Sequence, residues 1–219
     1  MSVSHWPTRL AAALLLAVSV WMLTEAQRTL RSDWGSAAAR HHVALWASGR
    51  GAPADAPQAW EQARDALQRA LSITPANPVL HERLGDAYFA AGQRDWQREK
   101  ISREHFAEAA LHYGRAIELR PDEPATWAML ASARQAAGGD SVGVQAAWAR
   151  ALALGPFEGH VQPVLMQVVL TDWDGATPAM QNWAKTLFDR GSIATREQIN
   201  AMAKPYGLVF RPDASSPPR

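Results

Sequence analysis

One pattern of small residues, large residues and prolines recurs along the chain at fixed distances. Asn77-Pro78, His81, Leu84-Gly85, Tyr88 and Gly92 are matched 46 positions later by Glu123-Pro124, Trp127, Leu130-Ala131, Arg134 and Gly138. Ala63, Leu67, Ala70 and Pro75 are matched 46 positions on by Ala109, Tyr113, Ala116 and Pro121, and a further 35 on by Val144, Trp148, Ala151 and Pro156. Both spacings reduce to one unit of about 34 residues once twelve residues inserted between Gly92 and Ala109, and one near Gly138-Gly139, are set aside. A unit of this length is a pair of antiparallel helices too thin to shelter its own apolar face, so the pairs must stack. Gly85, Ala109, Ala116 and Ala151 then stand where helices approach most closely, and Leu84, Tyr88, Tyr113, Trp127 and Trp148 fill the space between them. Asn77 before Pro78 predicts a capped helix start, Gly92 a helix end, and Pro75, Pro121 and Pro156 the stops of second helices.

These residues carry a resemblance to the tetratricopeptide repeat family, over Ala54 to about Leu170. His81-Glu82-Arg83-Leu84-Gly85-Asp86-Ala87-Tyr88 is similar to the first half of its motif, and Phe106-Ala107-Glu108-Ala109 through Ala116 to Pro121 to the second. The third unit departs from it, with Ala131 for Gly, Arg134 for Tyr and Val144 for Ala. The resemblance implies an all-α, short right-handed solenoid of antiparallel helix pairs whose first helices line a concave groove for a partner segment. On this chain that face would carry Glu82, Asp86 and Phe89 from one unit, and Ala128, Ser132 and Gln135 from the next. Some family members clamp a C-terminal carboxylate there with Lys and Asn. Glu82 and Asp86 stand at those positions instead, so a basic or neutral segment is the expected partner.

Ahead of the repeats, Leu10 to Leu23 is free of charge, with Arg9 before it and Glu25 after. Two readings compete, a cleaved signal peptide and an uncleaved signal anchor. Thr24-Glu25-Ala26 is a poor cleavage site, and Trp6 and Trp21 sit near the two ends, where interfacial Trp is favoured. The anchor is the preferred reading, and it sends the remainder of the chain outward, to the periplasm of a bacterium. The expected organisation is an anchor over 1–29, a linker helix and loop over 30–53, repeats over 54–170 with the insertion at 93–104, capping helices over 171–210 and a disordered tail over 211–219. Within the last helical stretch, Thr195 and Gln198 read as a capping box.

Chemistry is sparsely signalled. The chain has no cysteine, which excludes disulfides, thiol catalysis and Cys-ligated metals. A net charge of +1 with no long basic run argues against nucleic acid as a partner. His105, Glu108 and His112 share one helical face at metal-ligand spacing. No fourth ligand can be named, and the packed face marked by Ala109, Tyr113 and Ala116 would turn them to solvent, so no metal, cofactor or catalytic site is assigned. The insertion QRDWQREKISRE is more informative. It is either a solvated extension of the second helix or a protruding contact element, with Trp96 as anchor and Arg94, Arg98, Lys100 and Arg103 around it. A membrane-surface role for the same cluster is a further possibility. The sequence thus points to a membrane-tethered scaffold for protein–protein contacts in envelope assembly. The systems in view are polysaccharide export, pilus biogenesis, secretion and cytochrome c maturation. The alternatives are a structural subunit of a larger inner-membrane complex and, more remotely, a metal-dependent enzyme.

Overall fold

A computed structural model describes residues 6–47 and 57–211. Among them there is no strand. The helices are α1 (Trp6–Ala47), α2 (Pro57–Ile73), α3 (Pro78–Arg94), α4 (Glu99–Leu119), α5 (Pro124–Ala136), α6 (Ser141–Leu154), α7 (Val161–Thr171), α8 (Pro178–Arg190) and α9 (Ile193–Ala203), closed by a 3-10 turn at Lys204–Tyr206. The loop expected after Gly49 and the tail from 212 lie outside the described residues.

Helices α1 and α2, α3 and α4, and α5 and α6 pack as hairpins. Each second helix also touches the next first helix, and α3 lies against α1 as α7 lies against α5. The close approaches fall where the small residues predict. A Cβ built on Gly85 would come within 2.6 Å of the Tyr113 ring. Ala109, Ala116 and Ala151 have no exposed surface. Two indoles staple one hairpin to the next: Trp60 Nε1 donates to the Ala87 carbonyl at 2.8 Å, and Trp148 Nε1 to that of Leu165 at 3.1 Å. Each buries a large apolar ring while its one donor is satisfied.

Asn77 caps α3 as expected, its Oδ1 accepting from the Val79 and Leu80 amides, with Pro78 in the first turn. Two local readings are corrected. Gly92 does not end α3, which continues to Arg94; the Phe106 ring lies 2.9 Å from where a Gly92 Cβ would stand, so the glycine makes room for that ring. The cap of α9 is Ser192, whose Oγ accepts from the Thr195 amide, so Thr195 lies inside the first turn and does not open it. The insertion spans the end of α3 and the start of α4. It lengthens both arms of its hairpin, making α3 and α4 17 and 21 residues long against 13 and 14 for α5 and α6.

Helix α1 has two halves with different surroundings. Up to Leu23 its apolar side chains are exposed, and it is the one described helix long and apolar enough to cross a membrane. Beyond Leu30 it is no mere linker. Ser32, Ser36, Ala39 and Val43 are buried against α2, so this half is the first helix of a first hairpin. Ser32 Oγ lies 2.7 Å from Thr74 Oγ1 and bonds the Ala70 carbonyl, which satisfies a buried hydroxyl.

Candidate partner-binding cleft

Helices α3, α5 and α7 line a cleft of about 340 Å³. Asp86, Phe89, Ala90 and Gln93 enter it from α3, Met129 and Ser132 from α5, and Pro163, Val164 and Gln167 from α7. Ala47 of α1 and Met202 of α9 also line it. Side chains spaced three or four apart on each helix share the face, which is how three separate helices present one apolar floor.

Of the six groove residues expected from sequence, Asp86, Phe89 and Ser132 are brought together here, while Ala128 is buried in the core. Glu82 and Gln135 are occupied elsewhere. Glu82 accepts from Arg120 at 2.6 Å and from Thr126 at 2.8 Å, tying α3 to the start of α5. Gln135 donates to the Val168 carbonyl at 3.0 Å, tying α5 to α7.

The expected acidic character is corrected as well. Asp86 accepts from the Tyr113 hydroxyl and from Arg83, each at 2.9 Å, and burial raises its pKa above the ordinary aspartate value. With Glu82 paired to Arg120, neither carboxylate offers the cleft a free charge. Phe89, Ala90, Met129, Val164 and Met202 set its chemistry, which is apolar with Gln93, Ser132 and Gln167 as polar points.

At the tip of the long hairpin, Asp95 is only 3% exposed and gathers two guanidinium groups and an imidazole. Arg94 reaches it at 2.7 Å, His105 Nε2 at 3.3 Å, and Arg98 also contacts it. Hydrogen bonding from Arg94, followed by that from Arg98, holds its pKa at about 2 against the opposing effect of burial. Arg94 additionally lies over the Trp60 ring. Of the five contact residues expected in the insertion, Arg94 is thus committed internally, whereas Trp96, Arg98, Lys100 and Arg103 remain exposed. Trp96, at 71% exposure, is the large apolar group of this tip.

The two histidines of the metal-like pattern do not face solvent, contrary to expectation. His105 packs edge-on to Trp60, and His112 stacks on Tyr88 with its Nδ1 3.2 Å from that of His81. Trp60 from α2, with His81 and Tyr88 from α3, covers this second face. Glu108 alone stays exposed. Among the described residues no group of three or more His, Asp or Glu side chains is placed to hold a metal ion.

The fold and cleft are those of a stack of helical hairpins built for contact. No family model matches the chain, and no solved structure matches it. It is 33% identical over 98 residues to the TPR repeat-containing protein PA0015 of Pseudomonas aeruginosa, a stretch that covers 45% of this chain and 81% of that protein. The chain belongs to the tetratricopeptide repeat family. The kinship supports a scaffold for protein–protein interaction.

Proposed function

We propose that the protein is a membrane-tethered scaffold that holds an apolar segment of a partner protein in the cleft between α3, α5 and α7. The observation that carries this reading is the convergence of Phe89, Met129 and Val164, from three separate helices, on one cleft. A helix or extended strand presenting apolar side chains at regular spacing fits such a floor. The proposed anchor is the first half of α1, and the proposed setting is the periplasmic face of a bacterial inner membrane, in an envelope assembly system. The partner is then a subunit of such a complex, recruited at raised local concentration by the tether.

Trp96 marks a second proposed contact. Ala47 and Gln93 both line the cleft near the ends of α1 and α3, so the tip lies at the end toward which α1 runs. From Leu23 to Ala47 a helix rises about 36 Å. That height argues against the membrane-surface role for the insertion and favours a protein contact for Trp96, Arg98 and Lys100.

A photo-crosslinking side chain placed at Met129 in intact cells tests the reading. The expected result is a discrete crosslinked band that Ser132→Glu and Phe89→Ala each weaken at least fivefold. An unchanged band in both variants, or no band, overturns it.

A further inference from the structure

We propose that the outward face of α1 pairs in parallel with α1 of a second copy of this chain. Ser32, Ser36, Ala39 and Val43 turn toward the array. Half a turn away, Leu16, Val20, Leu23, Gln27, Leu30, Trp34, Ala37 and His41 are all exposed. Their spacing alternates four and three, the period of two helices wound around one another. The stripe runs unbroken from the apolar segment to the array and rises about 38 Å. Trp34 stands within it at 89% exposure, beside Leu30, with nothing in the array to cover either. A Trp so placed is the kind of side chain that dominates contact energy when buried at an interface.

The occupant is a second copy because the stripe is complementary to itself. A twofold axis along α1 sets each residue opposite its own duplicate, which is tolerable only where the stripe carries no charge. None of its residues is Asp, Glu, Lys or Arg. Beside the stripe, the parallel geometry sets Asp33 opposite Ala38 and Arg31 opposite Ala26, so no like charges meet. Asp33 is moreover paired with Arg40 of its own chain at 3.5 Å. Leucine at the positions of Leu16, Leu23 and Leu30 suits a two-stranded pair, and Gln27 can donate to and accept from its duplicate, which fixes the register. Parallel direction rests on the anchoring proposed above; failure of that reading has its own signature, release of the chain from membranes by alkaline carbonate.

The absence of cysteine makes the test clean, since each single-cysteine variant reports one position. In native membranes carrying the full chain, mild oxidation of Leu30→Cys, Trp34→Cys and Ala37→Cys is expected to yield a disulfide-linked dimer. Arg28→Cys and Gly35→Cys, exposed but off the stripe, are expected to give at least tenfold less. Equal yields at all five positions, no dimer, or a product containing a different protein overturns the proposal. In a second measurement, two differently tagged copies are expected to co-purify, and Leu30→Glu with Trp34→Glu to reduce recovery at least tenfold while thermal melting of the array is unchanged. Undiminished recovery from that double variant also overturns it.

Discussion

The Tyr113 hydroxyl donates to the Asp86 carboxylate at 2.9 Å across the α3–α4 hairpin, beneath a glycine that leaves room for the ring. Tyr113 is 1% exposed, and burial raises its pKa well above the ordinary value, so the hydroxyl keeps its proton and acts as the donor. Tyr113→Phe leaves a buried acceptor short of one donor and is expected to cost about 1–3 kcal/mol. Gly85→Ala forces the ring aside and is expected to cost about the same through overpacking. Chemical denaturation of both variants checks this, and the losses should not add in the double variant, because the two changes act on one contact.

Protonation of buried histidine should weaken the array in mild acid. Burial, together with the neighbouring His81, lowers the His112 pKa to about 4, and burial also lowers that of His105 in spite of Asp95. An unfolded histidine takes up its proton near pH 6.5, whereas folded His112 resists until about 4. Unfolding therefore binds a proton in this window, and stability is full above pH 6.5 and declines as the pH falls toward 4. Melting temperature measured across that range should fall, and His112→Phe, which keeps an aromatic ring on Tyr88, should flatten the decline. A slope unchanged by that substitution would refute the assignment.

Asp95 gathers Arg94, Arg98 and His105 at the hairpin tip. Its folded pKa is depressed to about 2, so the stabilisation it gives is present above its ordinary value of 3.8 and disappears as the pH falls through about 2. Asp95→Asn is expected to lower stability by about 2–4 kcal/mol at neutral pH, because Arg94 and Arg98 lose their common counter-charge. Hydrogen exchange would show the effect first in the last turn of α3 and the first turn of α4.

Trp96 offers the opposite expectation. Its exposed ring makes no stabilising contact that the fold depends on, so Trp96→Ala should change stability by no more than about 0.5 kcal/mol. Recovery of the partner with the tagged full chain should drop, and unchanged recovery would remove the tip from the proposed contact surface.

The sequence displayed the repeats because small and large residues alternate at distances that only stacked hairpins require, as with Gly85 and Tyr113. The first hairpin was harder to see. Its buried stripe on α1 is Ser32, Ser36, Ala39 and Val43, which has the polarity of a surface and becomes a core only because Thr74 and the Ala70 carbonyl answer the Ser32 hydroxyl. The placing of Asp86, Phe89 and Ser132 on one face followed from helical spacing. The neutralisation of that face did not, since Arg120 stands 38 positions from Glu82 and only folding brings them together. The Arg83–Asp86 pair, three positions apart on one helix, was there to be read. The histidines misled because a helix in an array has neighbours on more than one side.

Because α1 passes from its apolar half into the first hairpin without a break, the array has no swivel beneath it. A flexible tether would let the cleft sample any direction; with the anchoring proposed above, this stem would work as a mast, fixing the height and bearing of the cleft relative to the lipid plane. A tilt imposed on the proposed membrane end would then be passed along the helix to the cleft.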